Sequence, residues 1–383
     1  ALVGGAAGVG GAAAVGSSFV AAPASQSAGP SSITVNNPDS VNATTAIATK
    51  VLPSVVTISA SSGTSGGTGS GVILSDDGYV LTNTHVVTLD GATGDPKLSV
   101  TTSDGRVYAA TIVGTDPTYD LAVIKLTDAS GLTPIEFADS SKLNVGDQTV
   151  AVGAPLGLSN TVTTGIVSAL NRSIQIASSA APDSEGGTPQ DETPGGRTPF
   201  EFDFGQGQQT PSQPKSSIAI SVIQTDAAIN PGNSGGALVD GKGRLIGINV
   251  AIASAGGTST EAGSIGVGFA IPSTVAERVA NEIIDDGSAT HGLLGATVGD
   301  AAAAPGATRA GALINEVTSG GAAASAGLRN GDIVTKFNGV AITDQVDLTA
   351  QVRALAAGSK AELTYIRDGR EQTANVTLGE LQQ

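Results

Sequence analysis

From Ile47 to Pro272, short apolar runs alternate with turn signals, and this rhythm limits what the chain can fold into. Asp76-Asp77-Gly78 separates Val72–Leu74 from Tyr79–Leu81, and Asp240-Gly241-Lys242-Gly243 separates Ala237–Val239 from Leu245–Val250. Each pair reads as two strands joined by a hairpin, because Asp and Gly accept the backbone conformations that tight turns demand. The pattern suits an all-β barrel and not a parallel βαβ sheet. Composition agrees: aromatics are scarce, Val, Ile and Thr fit a pleated surface, and 53 glycines suit the turns of a barrel protein.

A chain of 383 residues has room for two domains and tails. Its formal charge of −16 argues against nucleic-acid binding, which needs clustered Lys and Arg, and reads as solubility. With no cysteine there is no disulfide framework and no thiolate metal site. No Walker loop, His-rich cluster or EF-hand spacing occurs, so neither a metal nor a cofactor is expected. The chain also contains no methionine, initiator included, which is expected of a trimmed or processed product.

Four parts are expected: 1–44, an anchor remnant and linker; 45–272, the barrel region; 273–290, a connecting helix; and 291–383, a second domain. Ala1–Ala22 is uncharged and reads either as the outer part of a membrane-anchoring helix, with small residues such as Gly4 and Gly8 at four-residue spacing, or as a flexible Gly/Ala linker. Ala21–Asn42 reads as a disordered linker. The insertion Ala177–Ser216, rich in Pro, Gly, Gln and acidic residues, reads as a disordered loop. Phe200, Phe202 and Phe204 within it form either a locally collapsed cluster or a strip that docks as a regulatory flap. After Pro272, Thr274 and Glu277 fit a capping box, Val275, Val279 and Ile283 line one helix face, and Gly287 is a stop.

The run Asp226-Ala-Ala-Ile-Asn-Pro-Gly-Asn-Ser234-Gly-Gly-Ala-Leu points to nucleophilic catalysis. A serine hydroxyl needs a base for its proton and donors for the oxyanion it creates, and flanking glycines let amide groups turn toward that charge. His85, in the apolar run Val80–Val87 that reads as a strand leading into a turn, is the candidate base. The only other histidine, His291, lies between domains. Asp120 is the candidate acid because it abuts the strand-like run Leu121–Leu126; Asp116 is its rival. The order His, Asp, Ser is one of three known for this geometry.

These motifs resemble the HtrA/Deg family of ATP-independent serine proteases, and the resemblance points to an actinobacterial member. It is carried by Gly69–Val87, Asp120–Lys125, Val152–Leu158, Gly165–Leu170, the Ser234 loop, Leu245–Asn249 and Gly266–Pro272, and it continues into a PDZ-like segment from Gly292 to Leu381. It implies a mostly β fold: a chymotrypsin-like double β-barrel followed by a smaller α+β PDZ domain. It also implies an active site between the barrels, extracytoplasmic quality control of unfolded or misfolded proteins, and a homotrimer, and it favours the anchor reading of the N-terminus. A peptide-holding chaperone with little turnover is the alternative.

On that reading the oxyanion donors are the N–H groups of Gly232 and Ser234, with Asn233 between them. Glycine at 232 also lets its peptide flip cheaply between competent and collapsed loops. The position six before the nucleophile, at the base of the primary pocket in such folds, is Ala228. Flanked by Ile229 and walled by Asn249 and Ala251, it offers no charge to a Lys or Arg side chain. Cleavage after small or medium aliphatic residues is therefore expected, with shallow discrimination. In the PDZ segment, Leu294, Gly295 and Ala296 would hold a peptide's C-terminal carboxylate while its backbone adds as a strand. Asp344 would cap a helix whose Leu348, Val352 and Leu355 face one way.

Overall fold

A computed structural model describes residues 41–63, 65–153, 161–177, 217–230, 232–250, 266–303 and 309–382. The Ala1–Ala22 segment, the Phe200–Phe204 strip and Ala251 lie outside these residues. Among the described residues no helix is long and apolar enough to cross a membrane.

The first six strands are β1 (Val55–Ser62), β2 (Ser65–Ile73), β3 (Tyr79–Thr82), β4 (Lys97–Thr101), β5 (Val107–Asp116) and β6 (Leu121–Leu126). They close into an antiparallel barrel in the order β1-β2-β3-β6-β5-β4. The next six are β7 (Gln148–Gly153), β8 (Thr161–Ala177), β9 (Ser217–Thr225), β10 (Ala237–Asp240), β11 (Leu245–Val250) and β12 (Gly268–Pro272). They close a second barrel in the order β10-β11-β12-β9-β8-β7. Both expected hairpins form: Ile73 pairs with Val80, and Ala237 pairs with Ile248.

Strand side chains alternate between faces, and in β6, β7, β10 and β11 both faces are largely buried. In β6, Ala122, Ile124 and Leu126 fill the first barrel, while Leu121 and Val123 join a core shared by the two barrels. In the second barrel Ala151, Leu238, Ile246 and Ala270 point inward, and their neighbours Val150, Val239, Leu245 and Ile271 meet the shared core. Such strands read as continuous apolar runs because each face serves a different core.

Helix α1 (Ala43–Val51) is capped by Asn42, whose Oδ1 accepts the Thr45 N–H at 2.9 Å. It packs on the second barrel, where Lys50 Nζ donates to Lys242 O at 2.9 Å. His85 lies on a short helix, α2 (Thr84–Thr88), and not on a strand leading into a turn. The helix is closed by Leu89 in a left-handed conformation (φ 52°).

Helix α3 (Ser273–Asp286) buries Val275, Val279 and Ile283 and ends at Gly287, φ 83°, as the sequence predicts. The predicted capping box does not form. The helix starts at Ser273 with Pro272 at the cap, two residues earlier than a Thr274 cap would place it, and Thr274 lies inside it, donating its N–H to Ser140 Oγ at 3.2 Å. A partner distant in sequence takes the cap's place.

The C-terminal domain contains β13 (Gly292–Leu293), β14 (Ala296–Asp300), β15 (Ala312–Val317), helix α4 (Ala322–Ser325), β16 (Ile333–Phe337), β17 (Val340–Ala341), helix α5 (Gln345–Arg353), β18 (Lys360–Arg367), β19 (Arg370–Thr377) and β20 (Gly379–Glu380). Its main sheet runs β14-β15-β16-β18-β19, so β14 is an edge. Asp344 caps α5 by accepting the Asp347 N–H at 2.9 Å, and Leu348 and Val352 are buried beneath the helix.

Ile283 is fully buried and ties α3 to the shared core. Ile283→Ala should lower unfolding stability by about 2–5 kcal/mol through lost burial and a residual cavity. A urea midpoint that drops at unchanged slope would show this, and an unshifted midpoint would contradict the packing described.

Candidate active site

Asp120 and His85 come from opposite ends of a short reach of the first barrel. Asp120 sits in the loop between β5 and β6 with a left-handed backbone, φ 53°. For a non-glycine residue that conformation costs roughly 1–2 kcal/mol. Several hydrogen bonds offset it. The Asp120 carbonyl accepts the Thr84 N–H at 3.1 Å and the Asn83 amide at 2.9 Å. Thr84 Oγ1 donates to Leu121 O at 2.6 Å. The carboxylate receives the His85 backbone N–H on Oδ1 at 2.9 Å and faces His85 Nδ1 with Oδ2 at 2.7 Å.

An ionised carboxylate only accepts, so Nδ1 carries the proton that faces Asp120. Asp120 is 1% exposed and the His85 side chain 14%, so the pair sits at the edge of solvent. Burial draws the His85 pKa down, but the charge and hydrogen bond of Asp120, helped by the charge of Asp90, outweigh it. The net position is above the ordinary imidazole value.

The Ser234 loop belongs to the second barrel and is pressed against the first. The Ser234 carbonyl accepts the Ser70 N–H at 2.8 Å, and Ser70 Oγ donates to Gly232 O at 2.7 Å. Thr82 Oγ1 in turn donates to Ser70 O at 2.7 Å. Gly235, at φ 78°, lies so close that a Cβ there would overlap Ser70 O and Thr82 Oγ1, so only glycine fits. The contact brings the Ser234 loop against the strand-to-helix junction that carries His85.

Gly232 has φ 95°, and the Asn233 N–H donates to Asn230 O at 2.9 Å. That engagement directs the Asn233 N–H into the turn, between the Gly232 and Ser234 N–H groups that the family resemblance implies as oxyanion donors. Asn249 is fully buried and braces the same loop. Its N–H donates to Gly236 O at 2.9 Å, its carbonyl accepts the Gly235 N–H at 3.0 Å, and its side-chain amide reaches Ala237 O at 3.1 Å. Ala228 is half-buried, its carbonyl held by Thr163 Oγ1 at 2.8 Å. Ile229 packs on the bare backbone of Gly268. Both side chains at this position are apolar.

Asp116 is not beside His85; it pairs with His291, so the two histidines sort onto the two aspartates. Ser70 and Asn83, which hold the site together, lie within the matching motifs, but their bracing roles have no signature in sequence. In the C-terminal domain Gly295 has φ 70° and its carbonyl accepts the Thr318 N–H at 2.9 Å. Leu294 is buried with its carbonyl on the Ala323 N–H at 2.7 Å, and Ala296 opens the edge strand β14. Among the described residues no group of His, Cys, Asp or Glu is placed to hold a metal ion.

Residues 69–248 match the trypsin-like peptidase domain and residues 285–378 match the PDZ domain. The chain is 42% identical over 368 residues to serine protease PepD of Mycobacterium tuberculosis, covering 94% of this chain and 71% of PepD. That match supports the actinobacterial expectation. It is 40% identical over 316 residues to periplasmic serine endoprotease DegP of Escherichia coli K12, covering 81% of this chain and 56% of DegP. Among solved structures it resembles the HtrA-type protease AlgW with a tripeptide at TM-score 0.59 and 33% identity, over 88% of this chain and 97% of that one. Two closed barrels with a His–Asp couple against a serine loop, a PDZ domain behind them, and these likenesses together place the chain in the HtrA family of trypsin-like serine proteases.

Proposed function

We propose that the chain is a serine endopeptidase that cleaves unfolded or misfolded proteins outside the cytoplasm. The observation that carries this reading is the grip of Asp120 on His85 through both ring and backbone, beside the loop that bears Ser234. His85 Nε2 takes the proton of the Ser234 hydroxyl as its oxygen attacks the scissile carbonyl. Asp120 fixes the tautomer and stabilises the imidazolium. The N–H groups of Gly232 and Ser234 receive the oxyanion, each such donor contributing roughly 3 kcal/mol. His85 then gives its proton to the leaving amine, and water releases the acyl group by the same steps. The engaged His85–Asp120 couple favours turnover over a purely peptide-holding role.

The apolar lining by Ala228 and Ile229 supports cleavage after Val, Ala or Leu. The exposed edge of β14 and the Leu294–Ala296 loop support capture of C-terminal peptides by strand addition. Relatives such as DegP are named periplasmic, which supports an extracytoplasmic location. Trimer assembly and anchoring through the N-terminus follow from the family resemblance.

Ser234→Ala and His85→Ala should each reduce casein digestion by on the order of 10⁶. Digestion by Ser234→Ala at the wild-type rate would overturn the assignment. A peptide library should be cut after aliphatic residues; cutting chiefly after Lys or Arg would refute the pocket.

The pH dependence has a definite sign. The folded-state pKa of His85 is raised, so the stability its ion pair contributes is present below the unfolded imidazole value and is lost as pH rises through the folded one. The base must be neutral, so activity rises through the same window. Asp120→Asn removes the charge that raises the pKa. The acid limb of kcat/KM should move to lower pH while kcat falls by roughly 10⁴. An acid limb that stays in place would contradict the coupling.

A further inference from the structure

The proteolytic reaction leaves one of the two histidines unused. His291, just before β13, is fully buried. Its Nδ1 lies 2.7 Å from the carbonyl oxygen of Arg353, the last residue of α5. Its Nε2 lies 2.9 Å from each carboxylate oxygen of Asp116. A carbonyl and an ionised carboxylate only accept. A neutral ring has one proton, so either tautomer turns a lone pair onto an oxygen at hydrogen-bond distance. A ring protonated on both nitrogens donates to both. It also stacks on Tyr119, with centroids 5.6 Å and planes 11° apart, and an aromatic face favours a cation.

Asp116 and Tyr119 belong to the loop that presents Asp120. Asp116 closes β5 and accepts the Thr118 N–H at 3.0 Å. Tyr119 immediately precedes Asp120. Burial pushes its phenol well above the usual range, so it stays protonated and donates to Ala350 O of α5 at 3.0 Å. Alongside, Gln351 Nε2 donates to Ser221 Oγ of β9 at 2.9 Å. The loop is therefore held before Asp120, at two points, by the PDZ domain, while Asp120 itself keeps a left-handed backbone.

The other charged groups around His291 come from α3, α5 and the C-terminal strand. Arg278 of α3 donates to Thr290 O at 2.8 Å and Ala354 O at 3.3 Å, and Glu282 of α3 accepts the Thr290 N–H at 2.7 Å. Arg353 presents its carbonyl to the ring from α5. Glu380 lies on β20, exposed, next to Leu381, whose N–H donates to His291 O at 2.9 Å.

We infer that His291 is a positioning residue for Asp120: protonated on both ring nitrogens, it fastens the PDZ helix α5 to the loop that orients His85, and the fastening slackens when the ring loses a proton. A neutral ring keeps only one of the two bonds, turning a lone pair on either Arg353 O or Asp116, so α5 and the loop are no longer tied through it. The loop is freed to leave its left-handed turn, and the carboxylate no longer fixes His85. This rests on the proteolytic reading.

The test uses the full chain. Imidazole ¹⁵N resonances are followed against pH, with kcat and KM for a cleavable peptide measured alongside; with two histidines, His291→Gln assigns the spectrum. We expect kcat to fall several-fold at nearly constant KM as His291 passes from two ring protons to one. In Asp116→Asn the side-chain amide can donate to a neutral ring, so this fall should vanish. It should vanish too in His291→Gln, which cannot titrate. A fall that persists in both variants, or loss of the His291 proton with kcat unmoved, overturns the inference. Absence of Ser234-dependent cleavage at every pH would instead sink the proteolytic reading. In that case the His85 resonance still decides the coupling, by moving or standing still as His291 titrates.

Discussion

The architecture turns on the hydrogen bond from the Ser70 N–H to the Ser234 carbonyl, 2.8 Å long, that joins the two barrels at their seam. Apolar burial supplies most of the attraction between the barrels, but it has no direction and would tolerate many relative placements. A backbone hydrogen bond prefers a narrow range of distance and angle. Packing Gly235 against Ser70 and Thr82 removes the remaining freedom, because nothing larger than hydrogen fits there. The loop that bears Ser234 is therefore set in one register against the strand end that leads into His85. Asn249 secures the loop from behind through three hydrogen bonds, so Ser234 rests on scaffold.

Much of this is legible in the chain itself. Short apolar runs and the Asp/Gly turns between them give the hairpins, and the spacing of Val275, Val279 and Ile283 gives the buried face of α3. The candidate catalytic residues stand out because serine, histidine and aspartate sit beside strand-like runs in a known order. What is not legible depends on partners far away in sequence. The run Val80–Val87 is apolar enough to pass for a strand, yet it bends into a helix at Thr84. Hydrogen bonds from Thr84 and Asn83 to Asp120, more than thirty residues on, decide that bend. Thr274 looks like a cap until Ser140 takes over the helix end. The pairing of His291 with Asp116 spans 175 positions and leaves no local trace.

The contact between the PDZ domain and the protease differs in kind from the one between the barrels. The shared core of the barrels is broad and apolar. The PDZ domain reaches the protease mainly through polar bonds, Tyr119 to Ala350 and Gln351 to Ser221 from α5 and His291 to Asp116 from the segment before β13, with Ala354 packed at the margin of the shared core. Hydrogen bonds of this sort contribute about 0.5–1.5 kcal/mol each, somewhat more when charged. An interface resting on such bonds can be loosened by one proton or one ligand, whereas the barrel core cannot. Two of the residues it grips, Asp116 and Tyr119, precede Asp120 in the same loop.

The proposed catalysis requires Ser234, His85 and Asp120 to act as one proton-transfer unit. The most direct measurement is proton NMR of the low-field region before and after treatment with a serine-directed phosphonate, with the modified residue located by mass spectrometry. The account predicts an adduct on Ser234 and a low-field His85 Nδ1 proton, hydrogen-bonded to Asp120, that shifts when the adduct forms and is lost in Asp120→Asn. An adduct elsewhere, or a His85 signal that Ser234 modification and Asp120→Asn both leave unchanged, would contradict it.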